Sequence, residues 1–70
     1  MAISIHQLQR GLKVRLDTTR ETPIMSVIDF GEKMGDFYKK RLMVHCEWHE
    51  KYQGMVQGEF PAESLVIVRQ

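Results

Sequence analysis

Along this chain apolar and polar residues change places with a period of two far more often than with a period near 3.6, and turn-forming residues separate the runs that do so. The clearest run is "LKVRL", residues 12–16, where Leu12, Val14 and Leu16 alternate with Lys13 and Arg15, as in a strand with one buried face. The polar "DTTRET" after it reads as a turn. Pro23 then opens "PIMSVIDF", which is rich in β-branched residues and begins where a strand tolerates proline, so a second strand is expected. A long third strand follows from shared parity. Tyr38, Leu42, Val44, Cys46 and Trp48 fall on one face, and Lys39, Arg41, Met43, His45, Glu47 and His49 on the other. "EKYQG" predicts a turn, "MVQGEF" a fourth strand, "PAESL" a 3₁₀ or helical turn after Pro61, and "VIVR" a fifth strand.

Two stretches depart from this period. "AISIHQLQRG" fits one short helical turn near the N-terminus, with Ser4 as N-cap, Ile5 and Leu8 on its inner face and Gly11 ending it. "DFGEKMGDFYKKR", residues 29–41, carries both patterns. Phe30, Met34, Phe37 and Tyr38 have helical spacing, and Asp29 with Glu32 resembles a capping box, yet Gly31 and Gly35 oppose a helix and suit a long hairpin tip. A hairpin is the expected form, with a helix as the alternative.

Five short strands in about 60 residues, with a single turn before the last, predict an all-β domain over residues 1–70. The expected architecture is a small five-stranded SH3-like barrel, since closure protects edges that an open sheet exposes. A chain of 70 residues has material for one core only. Its apolar fraction of 43% and charged fraction of 27% are those of a globular fold rather than a disordered segment or coiled coil. The strongest apolar cluster, Leu65 to Val68, is far shorter than the roughly 20 residues of a membrane span. The opening residues also lack the apolar core of a signal peptide, so a cytoplasmic location is expected. The single cysteine, which has no second thiol to pair with inside the chain, agrees with a reducing compartment. Ten Lys and Arg against nine Asp and Glu give a net charge of +1, so there is no broad positive field for nucleic acid or membrane, and any basic site must be local.

Four spaced motifs carry a family resemblance: Gly11-Leu12-Lys13-Val14, Pro23-Ile24-Met25-Ser26-Val27, Val44-His45-Cys46-Glu47-Trp48, and Phe60-Pro61 followed by Leu65. From Leu8 to Val66 the chain resembles the small bacterial YodC-like family, a domain of unknown function. The resemblance implies a small β-barrel and no particular activity. The chain departs from the family pattern in having Leu12 where aspartate is usual, and in a longer second hairpin, from Ile28 to Leu42. The extra length marks where something peculiar to this protein is expected.

"MVHCEWHEKY", residues 43–52, gathers metal-ligating and nucleophilic residue types. On a helix His45 and His49 would be neighbours one turn apart, the arrangement zinc proteases use. On a strand they lie about 13 Å apart with Cys46 on the opposite face, so the three cannot meet one ion. The strand reading therefore predicts no metal site here, a buried and inert Cys46, and a Trp48 that fills the core with its indole N–H on a backbone carbonyl. The nine carboxylates are scattered through turns and outward positions without a catalytic pattern. A barrel this small is also filled by its own side chains, so neither an enzyme nor a cofactor is expected.

Binding is the remaining class. Phe30, Met34, Phe37 and Tyr38 put more apolar surface on the second hairpin than a loop ordinarily leaves in water, so either a protein partner or the barrel itself covers them. The primary expectation is a non-enzymatic module that binds a protein partner through these residues. The alternative is nucleic-acid binding by the aromatic and basic patch from Phe37 to Arg41, with Tyr38 stacking on bases and Lys39, Lys40 and Arg41 on phosphates. Against it, a three-residue basic run commonly guards a solvated edge, and strand geometry sends Lys40 to the side opposite Lys39 and Arg41. A third expectation is self-association by edge-strand pairing.

Overall fold

Burial follows the alternation of the sequence. The computed structural model describes residues 3–18, 21–35 and 39–69. Val14 is buried between exposed Lys13 and Arg15 on β1 (Lys13–Leu16), and Val44 and Cys46 are buried on β3 (Lys40–Glu50) between half-buried Met43, His45 and Glu47. β2 (Met25–Met34), β4 (Gly54–Pro61) and β5 (Leu65–Ile67) complete one five-stranded antiparallel sheet in the order β4-β3-β2-β1-β5. A 3₁₀ turn, Ala62–Ser64, links β4 to β5, as the sequence predicts. The all-β expectation holds. Among the described residues the expected barrel is not closed by hydrogen bonds: β4 and β5 are the sheet's edges and do not pair with each other.

The core is small and continuous. Val14, Met25, Val27, Val44, Cys46 and Leu65 are almost wholly removed from water, with Ile3, Leu8 and Ala62 beside them and Leu12, Leu16, Phe30, Leu42, Trp48, Phe60 and Ile67 packed around. Each fully buried aliphatic side chain stabilises the fold by about 1.5–3 kcal/mol. This burial has to offset chain entropy without disulfide help, because Cys46 is a free thiol.

β2 organises the sheet. Its first residues pair with β1, Val14 opposite Met25, while from Ser26 onward it pairs with β3. The register moves from Val27 opposite Cys46 to Asp29 opposite His45, leaving Ile28 as an extra residue in a β-bulge. A bulge bends its strand and reverses which parity faces inward. Met25 and Val27 therefore fill the core before the bulge, and Phe30 rather than Asp29 packs against it afterwards.

Three local expectations are corrected. The N-terminal segment makes two successive turns, with Gln7 N donating to Ser4 O at 3.0 Å and Leu8 N to Ile5 O at 3.3 Å, without becoming a helix. Ser4 N–H instead donates to the Gln7 side chain at 2.9 Å, and Ile3, not the 43%-exposed Ile5, joins Leu8 in the core. β2 does not end at Phe30 but continues through Gly31 to Met34, and β5 begins at Leu65 and ends at Ile67. Gly11, with φ +89°, turns the chain so that its N–H reaches Val27 O at 2.8 Å and β1 enters beside β2.

Candidate functional site

β2 and β3 form a hairpin longer than the core requires. Inside the core they pair Val27 with Cys46 and Phe30 with Val44. Beyond it they continue through Gly31–Met43, Glu32–Leu42, Lys33–Arg41 and Met34–Lys40, and Gly35 N donates to Lys39 O at 2.7 Å. Residues 29–35 and 39–41 thus follow the hairpin expectation rather than the helical one. Directly opposed residues share a face, so Lys33 and Arg41 stand on one side and Met34 and Lys40 on the other.

The residues singled out from sequence are separated by this geometry. Phe30 is half-buried and packed against the core, so the domain's own side chains cover it and it is withdrawn from the partner surface. Met34 is 61% exposed. Phe37 and Tyr38 lie outside the described residues. Lys39, Lys40 and Arg41 are all exposed, but the outward cations have acidic neighbours. Lys33 Nζ donates to Glu59 Oε2 of β4 at 2.6 Å, and Arg41 stands 3.9 Å from Glu63 of the 3₁₀ turn. Among the described residues Lys39 and Lys40 make no ion pair.

Sequence reasoning missed Lys33, Met43, Glu59 and Gly31. Lys33, Gly35, Arg41, Met43 and Glu59, with Met34 at the margin, line a shallow groove at the distal end of the hairpin. It continues into a hollow above Gly31, flanked by Asp29, His45 and Glu59, where a side chain on the glycine would meet nothing within 4 Å. Extending the β2 strand three residues past Phe30 would have placed Lys33 beside Arg41. The Lys33–Glu59 contact has no local signal, because 26 residues separate the partners.

The "MVHCEWHEKY" stretch is a strand over residues 43–50, and its chemistry diverges as strand geometry requires. His45 and His49 point outward opposite Glu59 and Met55, whereas Cys46 is buried on the other face. Burial pushes the Cys46 thiol up from its ordinary value of 9.0 to about 11, so it is protonated at neutral pH and a poor nucleophile. Among the described residues no three His, Cys, Asp or Glu side chains are grouped to hold a metal ion. Trp48 packs against the core as expected, but its indole N–H donates to Glu50 Oε1 at 2.7 Å rather than to a backbone carbonyl. Trp48 and Glu50 share strand parity, and that is the signal which would have identified the pair.

Comparison with family models, with curated proteins and with solved structures finds no match for this chain. Among the described residues no helix is long and apolar enough to cross a membrane.

Proposed function

We propose that this protein is a non-enzymatic interaction module of the SH3-like, YodC-like kind, which docks on a protein partner through the distal half of its β2–β3 hairpin. The strand order β4-β3-β2-β1-β5, with a bent β2 shared by both halves of the sheet, supports the SH3-like assignment. The observation that carries the docking role is the extension of the hairpin past the core. From Gly31 to Met34 and from Lys40 to Leu42 the ladder continues past the fully buried side chains, with Leu42 its last contact with the core, and it holds Met34 in water with exposed Lys40 on the same face and exposed Lys33 and Arg41 on the other. A stretch of ordered sheet with an exposed thioether and a cationic rim fits a partner segment that brings an apolar anchor and acidic residues.

The test is affinity capture with the full chain and with a Met34→Glu/Lys40→Glu variant, whose changes sit on exposed side chains of one face. A partner retained by the first and lost by the second, in a variant with an unchanged circular dichroism spectrum, is the expected result. Equal capture by both proteins overturns the role. Captured material that disappears on nuclease treatment would instead favour nucleic-acid binding through Tyr38, Lys39, Lys40 and Arg41. That reading is second because Lys33 and Arg41, the cations paired across the outer face, already have Glu59 and Glu63 beside them.

A further inference from the structure

The two edges of the sheet are unequal. β5 has three residues, and Val68 beyond it is tied back by its N–H to Lys13 O at 2.9 Å, with Arg69 following. β4 has eight residues, and among the described residues its main chain bonds to β3 and to no other element. Edge strands in monomers are commonly blunted by lysine, by a bulge, by an inward charge or by shortness. β4 has none of these. Its one ionised side chain, Glu59, is engaged by Lys33, and Pro61 stands only at its end.

We propose that β4 is a self-association edge, pairing antiparallel with β4 of a second copy about a two-fold axis through Gly58. Only registers that oppose residues of equal parity keep the inner faces on one side. With the axis at Gly58, Val56 falls opposite Phe60 of the second copy, and Gln57 falls opposite Glu59. The first is a β-branched against aromatic pair and covers two side chains that are half-buried in the single chain. The second sets an amide against a carboxylate, so no like charges meet. Moving the axis to Gln57 would put Phe60 opposite Gly54 and Met55 opposite Glu59, losing the apolar pair and burying a thioether against a charge. A pairing of this kind is isologous and closes at two copies.

Sedimentation equilibrium of the full chain from roughly 1 µM to 1 mM tests the proposal. The expected result is a mass rising with concentration from one chain to two. Gln57→Glu creates two symmetry-related carboxylate pairs across the axis and weakens the dimer roughly 2- to 30-fold, while Gln57→Lys creates two opposite-charge pairs and strengthens it. Gln57 is exposed, so both variants keep the fold, which circular dichroism verifies. Met34→Glu, on the hairpin, leaves the dimer constant unchanged and so separates this edge from the docking surface. A single-chain mass at every concentration, growth beyond two copies, indifference to charge at position 57, or loss of the dimer with Met34→Glu would each overturn the proposal.

Discussion

The indole of Trp48 lies over Gly58 so closely that a Cβ on that glycine would stand 2.9 Å from Cη2 and 3.1 Å from Cζ3 of the ring. Phe60 closes the same space, its ring centroid 5.9 Å from that of Trp48 and its Cζ 3.1 Å from the same point. Gly58→Ala therefore displaces the indole and costs about 1–3 kcal/mol, the range for overpacking a filled site. Urea denaturation gives the energy, and a shift in tryptophan emission reports the displaced ring. An unaltered midpoint and spectrum would show that the ring is not held there.

Cys46 gives the fold a pH dependence of definite sign. Its thiol is raised by burial to about 11 from an ordinary 9.0, so the unfolded chain loses this proton first as pH rises. The associated stability is fully present below pH 9 and declines from there to about pH 11. Cys46→Ala removes that contribution and flattens the decline in a denaturation series between those values. Thiol reagents should label the folded wild type slowly at neutral pH and rapidly in denaturant.

Leu65 is fully buried where β5 meets Leu16 of β1. Leu65→Ala should cost about 2–5 kcal/mol through lost burial and the residual cavity. Natural domains have only about 5–15 kcal/mol in hand, so thermal unfolding should shift down by many degrees. A variant with wild-type melting behaviour would mean that the β1–β5 pair is dispensable.

The Lys33–Glu59 ion pair joins β2 to β4 across the outer face at 2.6 Å, with both side chains substantially exposed. Glu59→Gln should change stability by no more than about 1 kcal/mol, with a smaller effect at high salt. Its larger consequence is electrostatic: freeing Lys33 raises positive charge on the groove, so oligonucleotide binding measured by fluorescence anisotropy should increase if phosphate is ever a ligand of this face.

How much of this was legible before the fold was known can be read residue by residue. The alternation of Leu42, Val44, Cys46 and Trp48 placed β3 and its inner face, because side-chain parity in a strand is local. Pro61 and the residues after it likewise marked the 3₁₀ turn. The bulge at Ile28 was not legible, since an extra residue is defined only against the partner strand, and with it went the reason Phe30 turns inward. The expectation of Ile5 in the core failed for a related cause: in a single turn of chain, Ile3 fits the same core position equally well. At the candidate site, Met34 and the basic run were visible from composition, whereas the groove needed Glu59 and Met43 brought from other strands.

The reach of β2 past the core has a further dynamic meaning. The main chain of β2 from Gly31 to Met34 pairs with β3 alone, and beyond the exposed Lys33–Glu59 ion pair and partly buried Leu42 these rungs have little to lose, so they can open without disturbing Met25 or Val27. Amide protons at that end should exchange with solvent orders of magnitude sooner than those of Val27 and Cys46. If the hairpin docks as proposed, it can reshape itself around a partner while the rest of the domain stays shut.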